Sequence, residues 1–343
     1  MSAVNGTSGR RADATIARKR PGNMFCSDRG RDSSMLSFDV AFSNVAVALM
    51  YLLPGFIIQK CGKLKSEHLS SMSALLIYGF TPCMMLDALL KMGRENANPG
   101  LMALFFVLSF AAQGLFMLLL SLLFRKKKDD RYRMLTIASV MGNTGFFGLP
   151  IVRALLPEHP EAAAYSMVFV AGMNIFAFTV GVFSLTREKK YMSVKKGILN
   201  PAVISFAIGL ILYWARADEW LPGTVQSAIG TVSSMTTPFC MMILGARLAT
   251  MPLKEIFLQP FNFLIAAGKL LLFPLFSYAL VVFLPVDPVF KASMLLLSAT
   301  PCASIILNLA EMHGSSQKQM AADCILLSTL MCVITIPLLT LMV

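Results

Sequence analysis

From Ser37 onward the chain alternates long apolar runs with short polar connections. The runs cover roughly 38–59, 67–90, 99–124, 133–156, 162–186, 196–215, 223–249, 260–284, 290–311 and 319–342. Each is near the ~20 residues that carry a helix across a bilayer and longer than a strand of a soluble sheet. The pattern predicts an all-α polytopic membrane protein with about ten transmembrane helices, called spans 1 to 10 in chain order. Composition agrees: 56% of residues are hydrophobic and 14% charged, with a mean hydropathy of +0.69, where a soluble domain carries about 25% charged residues. The seven cysteines form no CxxC pair and mostly sit inside the apolar runs. They read as small buried hydrophobes rather than a disulfide or metal framework, and no metal or cofactor is expected.

The net charge of +12 would suggest nucleic acid in a soluble protein. Here its distribution gives a different partner, the lipid bilayer. Basic residues crowd the connections after odd-numbered spans: Lys60, Lys63 and Lys65, then the run 125–133, then Arg187 to Lys196, then Arg247 and Lys254, then Lys318. The alternate connections hold only Lys91, Arg94, Arg153, Arg216 and Lys291. The positive-inside rule places the odd-to-even connections in the cytoplasm and both termini outside a plasma membrane. The segment 1–37 departs from this pattern. It is rich in Gly, Ser and Arg, has no apolar h-region, and reads as a disordered basic tail. Its charges would lie on the wrong side of the membrane, a conflict that a translation start at Met35 would remove.

The chain repeats itself. Span 2 contains Thr81-Pro82-Cys83-Met84-Met85-Leu86-Asp87-Ala88, and span 7 contains Thr237-Pro238-Phe239-Cys240-Met241-Met242-Ile243-Leu244-Gly245-Ala246. The copies lie an odd number of spans apart, so the second runs the opposite way through the membrane. This divides the chain into the tail 1–37, a five-helix repeat 38–186, a basic cytoplasmic connection 187–195, and an inverted five-helix repeat 196–343. Alternating-access carriers are commonly built from such repeats.

Span 4 and span 9 are interrupted at corresponding places. Span 4 reads Met141-Gly142-Asn143-Thr144-Gly145-Phe146-Phe147-Gly148-Leu149-Pro150, and span 9 reads Ser298-Ala299-Thr300-Pro301-Cys302-Ala303-Ser304. Unwound backbone at membrane depth needs protein or a watery cavity to satisfy it, and paired breaks are the best sequence pointer to a transporter's site. Half-helix N-termini meeting there favour an anion, with Asn143, Thr144, Thr300 and Ser304 adding hydrogen-bond donors. Close helix packing through Gly and a simple proline kink would explain the same residues without a site.

At these residues the sequence resembles the auxin efflux carrier family of membrane transporters. Gly142 to Pro150 looks like the family's helix-4 signature, and Pro238 to Ala249, with Leu244-Gly245-Ala246, is similar to its segment in helix 7. Thr300-Pro301 through Asn308-Leu309-Ala310-Glu311 to Ile334-Thr335-Ile336-Pro337 looks like its last two helices. The resemblance implies two inverted five-helix repeats with crossover helices 4 and 9, and an elevator-like carrier that is homodimeric through a scaffold containing helices 2 and 7. It also implies an organic-anion substrate: an auxin-like carboxylate as in plants, or a mono- or dicarboxylate such as malate or malonate as in bacteria. The short connection 187–195 fits the bacterial type better.

A few polar residues inside the spans complete the candidates. Lys269 near the middle of span 8 is costly unless paired or wetted, so it is either a substrate contact or the partner of Asp323 in span 10. Asn174 in span 5 either faces the site or bonds a neighbouring helix. Asp87 reads as a solvated carboxylate at the membrane interface. The expected substrate-binding set is therefore Gly142, Asn143, Thr144, Gly145, Pro150, Asn174, Lys269, Thr300, Pro301, Ser304 and Asn308, with no catalytic residue. His68, His159 and His313 all fall in connections, which disfavours an intramembrane enzyme, and the chain contains no GxxxxGK[ST] or HExxH motif. A cation or proton exchanger, or a channel, on a similar inverted-repeat plan is the alternative to an anion carrier. It would be favoured by paired carboxylates at the breaks, and neither 142–150 nor 298–304 contains one.

Overall fold

The structure, a computed structural model, describes residues 36–92, 98–127, 129–251, 253–312 and 317–343. The first 35 residues of the expected tail, and with them Met35, lie outside the described residues, as do Arg94 and His313. In chain order the helices are α1 (Phe38–Lys60), α2 (His68–Leu90), α3 (Pro99–Leu123), the pair α4a (Asp130–Ala138) and α4b (Thr144–Leu155), α5 (Pro160–Thr186), α6 (Lys189–Trp214), α7 (Gly223–Ala249), α8 (Pro260–Val281), the pair α9a (Pro288–Ser298) and α9b (Ile305–Met312), and α10 (Lys318–Thr340). Eight of these are long and apolar enough to cross a membrane, and the expected spans 4 and 9 are the ones divided into two shorter helices. The described chain is an all-α polytopic membrane protein; its one departure from helix and loop is an isolated antiparallel bridge between Gly142 and Cys302.

Local sequence explains where several helices begin. Asn98 precedes Pro99 at the start of α3, Asp287 precedes Pro288 at the start of α9a, and Asn200 precedes Pro201 where α6 resumes after a turn at Leu199–Asn200, each an acceptor side chain followed by a proline whose missing N–H costs nothing in the first turn. Asn98 accepts from the Gly100 and Leu101 amides at 3.0 and 3.2 Å, Asn200 from Ala202 at 3.0 Å, and Asp287 from Phe290 at 2.7 Å. Asp129 caps α4a by accepting from the Arg131 amide, and that bond holds its carboxyl below the usual carboxylate range. Inside the helices, wide π-helical turns occupy Leu76–Phe80, Thr144–Gly148 and Gly268–Leu272. In each case a proline follows two residues on, Pro82, Pro150 and Pro274. Its ring crowds the carbonyl one turn back and it donates no hydrogen bond, so the preceding turn opens.

Packing makes the internal repeat visible. Helix α1 lies against α7 and α10; its counterpart α6 lies against α2 and α5. Likewise α3 packs on α5 as α8 packs on α10, while α2 meets α7 and α3 meets α8. Exchanging helices 1–5 with 6–10 maps this set of contacts onto itself, the signature of a pseudo-two-fold axis. The two copies of the Thr-Pro string meet near that axis, with Phe80 and Phe239 stacked at 4.9 Å between ring centroids. The axis thus relates two inverted five-helix repeats. Backbones touch where α1 crosses α7: a Cβ on Gly55 would fall 1.8 Å from the Met242 carbonyl oxygen, and one on Gly245 would fall 2.0 Å from that of Leu52. Lipid offers apolar helices no hydrophobic drive to associate, so such small-residue contacts carry much of the interaction. The helices α5 and α10 are the most enclosed, and α1 and α6 are the least.

Candidate functional site

Sequence alone shows two weak helices; the fold brings their weak points together. Between α4a and α4b the chain unwinds at Ser139–Asn143, and between α9a and α9b it unwinds at Ala299–Ser304. The two stretches run antiparallel, the Asn143 amide donating to the Pro301 carbonyl at 2.7 Å and the Ala303 amide to the Met141 carbonyl at 3.0 Å. The Cys302 amide donates to the Ser328 hydroxyl at 2.9 Å. Each break therefore supplies the hydrogen bonds the other lacks, which is how unwound backbone survives away from water.

Gly142 is required by this close approach. A Cβ there would fall 2.4 Å from the Thr300 hydroxyl oxygen and 2.9 Å from the Lys269 amine. Lys269 sits on the C-terminal side of the crossing. Its Nζ donates to the Ser298 carbonyl at 2.7 Å and lies over the Phe273 ring, 4.7 Å from the centroid. The C-terminal end of a helix carries partial negative charge, so the ammonium compensates the end of α9a.

The N-terminal ends face the other way, into a cavity of about 360 Å³, at the small end of the ~300–1,000 Å³ typical of ligand pockets. It is mostly apolar. Its polar lining includes Asn143, Thr144, Asn174, Asn308 and Arg247. The buried Thr144 hydroxyl has no hydrogen-bond partner among the described residues. The Arg247 guanidinium donates to the Ser73 hydroxyl at 3.3 Å. Among the described residues no carboxylate forms an ion pair with it. A cation, an unpartnered hydroxyl and several amides in an apolar cavity suit a small ligand with an anionic end.

Of the expected residues, the fold gathers Gly142, Asn143, Thr144, Gly145, Asn174, Ser304 and Asn308 around this cavity. Asn174 does so while donating to the Val170 carbonyl of its own helix at 2.8 Å, rather than to a neighbouring helix. Four others sit elsewhere. Thr300, fully buried, donates back to the Leu297 carbonyl at 2.8 Å, and Pro301 offers its carbonyl to Asn143. Lys269 is fully buried beside the crossing, and its bond goes to Ser298; Asp323 accepts from Gln319 at 2.9 Å. Pro150 lines a separate, smaller cavity.

Two residues have places that sequence reasoning missed. Arg247 reads there as one more charge of a cytoplasmic connection, although it lies two residues inside the expected end of span 7; that position was the available signal. Asp87 is not a solvated interfacial carboxylate. Only 3% of it is exposed, and it accepts from Arg153 of α4b and Ser233 of α7 while pairing with Lys91 one turn on. Apolar surroundings exclude water from the carboxylate, and two cations replace the hydration it loses.

Comparison with known proteins agrees with this architecture. The profile of the family described as membrane transport protein matches residues 40–195 and 184–340. An uncharacterized transporter of Methanocaldococcus jannaschii is 24% identical over 309 residues, covering 86% of this chain and 95% of its own length. An uncharacterized transporter of Methanothermobacter thermautotrophicus is 21% identical over 298 residues, with the same two coverages of 86% and 95%. With matches that span both halves of the fold, the chain belongs to the membrane transport protein family, the family of auxin efflux carriers.

Proposed function

We propose that this membrane transporter is a secondary carrier of a small organic anion, a mono- or dicarboxylate, working by elevator-type alternating access in the plasma membrane. The observation that carries the reading is the cavity at the crossing, with Arg247 as its cation and the N-terminal side of both breaks turned toward it. A carboxylate there would take charge-assisted hydrogen bonds from the guanidinium and neutral ones from Thr144 and the amides of Asn143 and Asn308. The antiparallel pairing of the two breaks supports treating helices 3–5 and 8–10 as one moving body. Helices 1, 2, 6 and 7 would then be the framework, and a homodimer through that framework is part of the proposal. The cavity is lined by α2 from Ser73 to Met84, by Asn200–Ala202 of α6 and by the ends of α7 and α9b, and its Ser73, Arg247 and Met312 lie toward the connections that carry most of the basic residues. On the positive-inside rule the described conformation is open to the cytoplasm, with the C-terminus outside.

The test is counterflow of labelled malate, malonate and a panel of monocarboxylates in proteoliposomes, with and without sodium at fixed pH. Saturable exchange of one of them is the expected result. No exchange by folded protein would overturn the anion reading in favour of a cation exchanger or channel.

A further inference from the structure

A second cavity, of about 250 Å³, lies beyond Met84, whose side chain borders both cavities and packs against Gly145. Its polar lining includes Arg153, Ser233, Ser234 and Thr237. The charges around it do not balance. Asp87 is one carboxylate serving two cations, with its Oδ1 2.6 Å from the Lys91 amine. Its Oδ2 accepts from both Nη1 and Nη2 of Arg153 at 3.2 Å and from the Ser233 hydroxyl at 3.0 Å. Both guanidinium nitrogens thus share a single oxygen through long bonds, where a carboxylate matched to arginine uses both of its oxygens. Arg153 is also 35% exposed. If Arg153 turned to another anion, Asp87 would keep Lys91 and Ser233, so no buried charge would be left unpaired.

We propose that this smaller cavity is a second anion-binding station, on the far side of Met84 from the first, in which Arg153 leaves Asp87 to take the carboxylate of a small organic anion bidentately. Ser234 and Thr237 supply neutral donors at its edge, while Ser233 stays on Asp87. Asp87 holds the arginine in place while the station is empty. The inference rests on the carrier reading for the kind of ligand, but the site can bind whether or not the first cavity does.

The test uses the full-length chain in nanodiscs, with Cys26, Cys61 and Cys83 replaced by serine. Ser234→Cys reports on the second cavity, and Met312→Cys on the mouth of the first. Each is labelled with a maleimide in the presence of acetate, malonate, malate or indole-3-acetate at millimolar concentration, against chloride at matched ionic strength. At least one carboxylate should slow labelling of Ser234→Cys several-fold. That protection should survive Arg247→Gln, vanish in Arg153→Gln while that variant still elutes as monodisperse protein, and return in part in Arg153→Lys. If no carboxylate protects a freely labelled Ser234→Cys, the second station does not exist. Protection lost with Arg247→Gln would make it an echo of the first cavity and overturn the proposal in the same way. Protection at Ser234→Cys without protection at Met312→Cys would remove the first-cavity reading and leave this one standing.

Discussion

Arg247 and Lys269 are both cations within helices, yet their surroundings set them different tasks. Arg247 lines a cavity and donates to a neutral hydroxyl, so an arriving carboxylate would meet a donor with capacity to spare. Arg247→Gln is expected to weaken substrate by roughly 10- to 100-fold, the ~1.5–3 kcal/mol of a hydrogen bond to a charged group. The readout is the KM of counterflow, and Arg247→Lys should recover part of it, because a point charge keeps attraction but loses the fork. Asn143→Ala should abolish transport with the protein still folded, since its side chain lies in the cavity while its backbone pairs with Pro301. Normal uptake with unchanged affinity would remove the α4 break from the binding site. Lys269→Met should behave oppositely. It leaves the Ser298 carbonyl unpaired and the end of α9a uncompensated, so the thermal midpoint should fall, by about 1–3 kcal/mol in stability. The KM should stay put, because the lysine is outside the cavity; a raised KM at unchanged stability would return Lys269 to the substrate contacts.

At the scale of elements, the crossing is held by what each break lends the other, and Gly142 is where that exchange leaves no room. Gly142→Ala would place a methyl group 2.4 Å from the Thr300 hydroxyl oxygen and 2.9 Å from the Lys269 amine. The resulting shift would pull apart the hydrogen bonds that the Asn143 and Ala303 amides donate to Pro301 and Met141. The expected outcome is loss of monodisperse protein in size-exclusion chromatography, whereas Gly223→Ala, with open space around its Cβ position, should elute like the wild type. Equal behaviour of the two variants would mean that the crossing is more compliant than its contacts indicate. The proline-opened turns in α2, α4b and α8 belong to the same scale. Proline costs a helix an internal bond, and here three of them widen a turn next to the framework or the crossing without ending the helix.

For the whole molecule, orientation follows from charge rather than from packing. Cys61 is exposed at the end of α1, beside Lys60, Lys63 and Lys65. In a chain carrying Cys26→Ser and Cys83→Ser, a membrane-impermeant maleimide should label Cys61 only after cells are permeabilised. Labelling of intact cells would invert the topology and turn the opening of the first cavity to the outside.

How much of this was legible beforehand divides along physical lines. Apolar runs, the basic bias of alternate connections, the Thr-Pro repeat and the glycine- and proline-rich breaks are local properties, set by the energetics of burying side chains and backbone in hydrocarbon. From them the all-α membrane class, the two inverted repeats and the two breaks that line the larger cavity were readable. So were helix limits close to those observed, such as 223–249 for α7. Contacts among residues far apart in sequence were not readable, because which side chains converge depends on how helices rotate and cross. Thr300 and Lys269 turned out to brace the crossing, Arg247 turned inward from what reads as a loop, and Asp87 met Arg153 and Ser233 from two other helices. A membrane span announces itself one helix at a time, whereas its charge pairs and its cavities exist only once the helices are packed.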